Sequence, residues 1–202
     1  MSAGRDGWRL AVGTLTTIPV QPPSVVDRAV AGRAMLLAPL AALPLALIPL
    51  LAHTAIRWLG MPPLLATALT VAALALANRR LHVDGLADTA DGLAASYDRD
   101  RALEVMRRGD VGPMGVVALV LVLGLQAVLV GDLLARPWGW AFVALALAAG
   151  RLALASACSA VVPSARPDGL GAAVARSVPS WLVTTLHLGV LLGLSLIHIS
   201  EP

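Results

Sequence analysis

The chain has 202 residues, 58% of them hydrophobic and only 13% charged, with 15 basic and 12 acidic side chains and a formal net charge of +3. A soluble domain carries about 25% charged residues, so this composition excludes an ordinary soluble globule and points to one polytopic integral membrane domain over residues 1–202. The positive balance is no nucleic-acid signal either, because aromatic residues make up 3% of the chain and cannot furnish base-stacking platforms.

The N-terminal segment, residues 1–33, reads as cytoplasmic and interfacial. Its apolar stretch Ala11 to Val20 is too short to cross a bilayer, and Pro19, Pro22 and Pro23 interrupt any helix there. Five apolar segments are then predicted to span, at about 34–52, 62–78, 113–135, 138–162 and 181–199. The fold class is therefore all-α, a polytopic membrane helix bundle with about five spans. Pro39, Pro44 and Pro49 predict a kink in the first span. Arginine placement orients the set. The N-terminal segment, the 79–112 loop and the 163–180 loop carry twelve arginines, against two in the alternate loops (Arg57 and Arg136). By the positive-inside rule the N-terminus and residues 79–112 face the cytoplasm. The single Cys158 excludes an intrachain disulfide and reads as a small core hydrophobe.

The loop 79–112 carries the chemistry. It holds His82-Val83-Asp84-Gly85-Leu86-Ala87-Asp88-Thr89-Ala90-Asp91-Gly92. On a helix Asp84, Asp88 and Asp91 fall within an arc of about 60°, since each residue turns about 100°. Three carboxylates on one stripe repel each other, and aspartate is a poor helix former. A cation answers that repulsion, and hard oxygen ligands suit Mg²⁺, Mn²⁺ or Ca²⁺ better than Zn²⁺. The plainer reading is a solvated acidic face. Gly85 and Gly92 serve either backbone approach to a ligand or helix packing in lipid. His82 either orients a carboxylate, binds phosphate or acts as base, or is a helix-end residue at the membrane interface. Arg107 and Arg108 are placed to clamp phosphate oxygens, and Asp110 to cap nearby amides or contact the metal. Gly109, Gly112 and Gly115 lie around Pro113, the expected first turn of the third span. Arg151 falls near the middle of the fourth expected span, where it calls for a partner in the bundle, an aspartate of the stripe or a substrate phosphate.

With these residues in view, the sequence resembles the cobalamin synthase family, the adenosylcobinamide-GDP ribazoletransferases. Positions 82–92 match that family's His-x-Asp-Gly-Leu-x-Asp-x-x-Asp-Gly hallmark in full. Arg101-Ala102-Leu103-Glu104-Val105-Met106, Gly112 with Gly115, Gly150-Arg151 and Asp168-Gly169-Leu170-Gly171 extend the likeness. The resemblance implies transfer of the cobinamide phosphate from adenosylcobinamide-GDP to α-ribazole or its 5′-phosphate, with release of GMP, at a bacterial inner membrane. It implies Mg²⁺, with Mn²⁺ as the alternative, held by Asp84, Asp88 and Asp91. Arg107, Arg108 or Arg151 would hold phosphate oxygens, and one aspartate or His82 would take the hydroxyl proton. The partners expected are those two substrates and the lipid bilayer, with no nucleic acid. Two departures stand out. Many members read Asp-Ser-Arg where this chain has Arg108-Gly109-Asp110. A later Gly-Gly-x-Thr-Gly-Asp motif is absent, and Leu196 to Pro202 does not look like the family. The expectation is a non-native tail at 196–202 and a truncated chain that inserts but catalyses poorly. A CDP-alcohol phosphotransferase is the enzymatic alternative, but its aspartates come in another order. A cation carrier is the non-enzymatic one, but it should place its acids at mid-membrane.

Overall fold

The computed structural model describes residues 3–199, so residues 200–202 of the expected non-native tail lie outside the described residues. Among the described residues the protein is all-α, as expected. The one β-type pairing is an isolated bridge between Ser159 and Val178. The helices are α1 (Ala3–Leu15), α2 (Arg28–Ala42), α3 (Leu47–Leu59), α4 (Pro63–Ala77), α5 (Leu81–Ala95), α6 (Arg99–Val105), α7 (Pro113–Ala135), α8 (Gly139–Ala157), α9 (Leu170–Val174) and α10 (Ser180–Ile199).

The chain divides into two compact units, the described part of Met1–Pro44 with Ala144–Pro202, and Leu45–Val143. In the first, α1 and α2 pack around a core of small and medium side chains: Ala11, Val12, Ala34, Met35, Ala41, Ala155, Cys158 and Val178. Cys158 is thus the core residue expected. Asp27 caps α2 by accepting from the Val30 amide at 2.8 Å. Asp6, on α1, accepts from the Ser24 hydroxyl at 2.5 Å and the Ser24 amide at 3.1 Å. The Ser24 hydroxyl and amide, helped by Arg9, hold its carboxyl below the usual carboxylate range. That anchor is intact at neutral pH and is released only as acid protonates Asp6.

In the second unit α3 ends at Gly60, whose φ of 65° makes the left-handed cap that glycine allows. Pro63 then starts α4, where its missing N–H leaves nothing unpaired. The Nδ1 of His53 meets the Leu134 carbonyl at 2.9 Å and ties α3 to the end of α7. α4 passes α7 where Thr67 faces Gly131.

Three stretches are long and apolar enough to cross a membrane: Arg28–Leu59, Pro113–Ala135 and Gly139–Ala157. Where a kink was expected in the first, a 3₁₀ turn at Leu43–Ala46, which contains Pro44, interrupts the α-helical hydrogen bonding. The expected second span is corrected. α4 has 15 residues, about 22 Å of helix, short of a hydrocarbon core of about 30 Å. α4 and α5 pass the span criteria only together, and they are bent by 88° where they meet. The expected fourth span ran too far. Beyond Ala157 the backbone leaves the helix, and Ala160 N–H donates to Val178 O at 2.8 Å. α10, Ser180–Ile199, is a 20-residue helix that coincides with the expected fifth span, residues 181–199. Among the described residues three stretches, or four with the bent pair, have the length and composition to cross a membrane, and α10 lies over the expected fifth span.

Candidate active site around α5

The bend between α4 and α5 is made by residues that resist it. Arg79 and Arg80 both lie in the left-handed region, with φ of 56° and 60°. That conformation costs a non-glycine residue about 1–2 kcal/mol each, and such strain clusters at functional positions. The two arginines line a cavity of about 390 Å³ with Leu81, Val83, Asp84, Ala87, Val111 and Leu119. Two arginines and one aspartate therefore share its lining with apolar residues of α5 and α7 and with Val111 just before α7. This is a composition suited to a ligand bearing both phosphate and a bound cation.

Asp84, Asp88 and Asp91 all lie on α5, as the spacing required. Their surroundings differ. Asp84 is exposed at the cavity, Asp88 is half-buried, and Asp91 is buried at 9% exposure. Asp91 faces the start of α7: Gly112 N–H donates to its Oδ2 at 2.7 Å and Gly115 N–H to its Oδ1 at 2.8 Å. The expected capping by Asp110 is thereby corrected, since the carboxylate that takes the α7 amides comes from α5. Among the described residues no three of the His, Cys, Asp and Glu side chains gather into a group able to hold a metal ion.

The two motif glycines also differ. A Cβ at Gly92 would stand 2.6 Å from Met106 Cγ and 3.0 Å from the Ala102 carbonyl of α6, so this glycine permits close helix packing. A Cβ at Gly85 would meet nothing within 4 Å. His82 is exposed in the first turn of α5. Arg107, Arg108 and Asp110 are exposed on the turn between α6 and α7, and Arg108 pairs with Glu104 at 3.4 Å. Arg151 lies in the first unit, buried on α8 at 7% exposure. Because α8 ends at Ala157, it is six residues, about 9 Å, from the helix end, not at mid-helix as expected.

In the sequence the arginines at the bend stand among several cations around the acidic stripe, and nothing there sets them above Arg107, Arg108 or Arg151 as site residues. The signal was there in part: two adjacent cations directly before the His-x-Asp motif. Their left-handed backbone was not legible, because arginine carries no preference for it.

Comparison with known proteins decides what this arrangement belongs to. The family model for cobalamin-5-phosphate synthase matches residues 7–200. The chain belongs to the cobalamin-5-phosphate synthase family. Among its relatives, an adenosylcobinamide-GDP ribazoletransferase of Nocardioides sp. is 56% identical, over 87% of this chain and 75% of the relative. One from Frankia casuarinae is 42% identical over 84% of this chain and 64% of the relative. One from Bradyrhizobium diazoefficiens is 39% identical over 95% of this chain and 78% of the relative. No solved structure matches the chain. Membership in this synthase family makes the protein a transferase of cobalamin biosynthesis, and the lipid-phosphotransferase and carrier alternatives fall away.

Proposed function

We propose that the protein transfers the adenosylcobinamide phosphate group from adenosylcobinamide-GDP to α-ribazole or its 5′-phosphate, and that the diphosphate is seated in the cavity between α5 and α7. The observation that carries the placement is the meeting of Arg79, Arg80 and Asp84 in one cavity at the start of the motif helix.

A divalent cation fits this donor set. Asp84 and Asp88 are one turn apart on α5, so their Cβ atoms are about 5–6 Å apart. Mg²⁺ commonly binds through one or two carboxylates plus substrate phosphates and water. Mg²⁺ bound there would polarise the diphosphate and stabilise the departing GMP. Arg79 and Arg80 hold phosphate oxygens, ahead of Arg107, Arg108 and Arg151, because they line the cavity. The ribazole hydroxyl oxygen forms its bond to the cobinamide-side phosphorus, and the bond from that phosphorus to the bridging oxygen breaks, releasing GMP. The hydroxyl proton passes to His82 or to an aspartate of the stripe.

The test is GMP release from adenosylcobinamide-GDP by the protein in lipid, with and without Mg²⁺. Ribazole-dependent release that stops on chelation and returns with Mg²⁺ is expected. Undiminished release in excess chelator would remove the metal from the scheme. The twelve-to-two arginine split supports a cytoplasmic N-terminus and a cytoplasmic 79–112 segment of a bacterial inner-membrane protein. Single cysteines at Ser96 and Gly60 in a Cys158→Ala background check this. An impermeant thiol reagent outside intact cells should reach position 60 and not position 96.

A further inference from the structure

We infer that Asp91 is a positioning residue that caps α7, and that it is not a ligand of the metal. The inference deepens the reading just given and divides the acidic stripe in two. α7 begins with the residue pair least able to satisfy its own first turn. Gly112, the N-cap, has no side chain to offer, and Pro113 comes next. The amides of Gly112 and Gly115 therefore need an outside acceptor. Asp91 supplies one carboxylate oxygen to each, at 2.7 and 2.8 Å, from a buried position.

The glycines are part of the same device. A Cβ at Gly112 would lie 2.5 Å from Asp91 Oδ1, and one at Gly115 would overlap Oδ2 more closely still. Only residues without a side chain let the carboxylate reach both amides. The charge also suits the place, since a buried anion at the start of a 23-residue helix meets the positive end of its dipole. A divalent cation on the same oxygens would stand against those amide hydrogens and that dipole, which opposes binding. Asp91 thus fixes the start of α7 against α5. It thereby sets Val111 and Leu119 across the cavity from Asp84.

The experiment uses the full-length protein in lipid and has one readout that needs no activity. Amide hydrogen exchange at Gly112 and Gly115 should quicken at least tenfold in Asp91→Asn and stay unchanged in Asp84→Asn. Asn retains one acceptor oxygen, so its kcat should fall about tenfold and Asp91→Ala should fall further. The Mg²⁺ concentration for half-maximal activity should remain within twofold of wild type. Should Asp91→Asn fail to fold, Gly115→Ala displaces the carboxylate with its charge kept, and the same exchange and Mg²⁺ results are expected. Unchanged exchange at both amides, or a Mg²⁺ midpoint raised tenfold or more, overturns the inference. An inactive wild-type protein with quickened exchange in Asp91→Asn would sink the proposed reaction and leave the cap standing.

Discussion

The two ends of α5 are built from the same residue types and do opposite things. At its start Asp84 is exposed in a cavity, beside two arginines held in a conformation they disfavour. Near its end Asp91 is buried with both oxygens engaged, and Gly92 lies tight against α6. One end is open and strained, the other closed and satisfied. A reacting group must meet a ligand that comes and goes. A framework group must not move at all. On the proposed reading one eleven-residue motif holds both, and its aspartates share a pattern without sharing a role.

The largest expected effect comes from the open end. Asp88 is half-buried between the two extremes and is assigned with Asp84 to the metal. Asp88→Asn should lower turnover by more than the about 10–100-fold seen when a partner one step removed from a metal is lost. Insertion into the membrane should be unaffected. Turnover within tenfold of wild type at saturating Mg²⁺ would move Asp88 to the framework side and leave Asp84 alone at the cavity.

The part of this division that was legible in the sequence is the part that periodicity carries. The 3.6-residue repeat placed Asp84, Asp88 and Asp91 on one helix, and the apolar run placed α7 at residues 113–135. Both are local properties. The difference between Asp84 and Asp91 is not local, because it depends on which neighbour packs against each turn of α5. The Asp91 amide partners lie 21 and 24 residues further on, and no spacing rule links a carboxylate to the start of the next span. The bend at Arg79 and Arg80 was hidden for a related reason. Hydropathy ran through residues 62–78 as if they formed a span, and only backbone geometry reveals the 88° turn beyond them. Arg151 was misplaced along α8 because hydropathy continued past Ala157, where the bridge to Val178 takes over the backbone.

The next effect in size separates strain from chemistry at the open end. Arg80→Gly removes a guanidinium from the cavity and places at φ 60° the one residue that adopts it without penalty. Stability should hold or rise by about 1 kcal/mol. Losing a charge-assisted phosphate contact, worth about 1.5–3 kcal/mol, should cut kcat/KM for adenosylcobinamide-GDP about 10–100-fold, at about 1.4 kcal/mol per decade. Thermal unfolding and initial rates on one preparation read both. A less stable variant with normal kcat/KM would mean that Arg80 shapes the bend and nothing more.

The smallest effect should come from a residue outside both ends. Arg108 lies on the turn before α7, with its side chain 51% exposed and its Glu104 partner 62% exposed at 3.4 Å. An exposed pair one helical turn apart contributes about 0.3–0.5 kcal/mol, less in salt. It does not line the cavity where the diphosphate is placed. Arg108→Ala should therefore change stability by less than about 0.5 kcal/mol and kcat/KM by no more than about twofold. A loss of tenfold or more, with KM rising and kcat steady, would show that the turn folds over bound substrate and that Arg108 holds a phosphate oxygen. The open end would then extend from α5 across to residues 107–108, and the boundary between the working and the framework halves of this unit would have to be redrawn at Gly112.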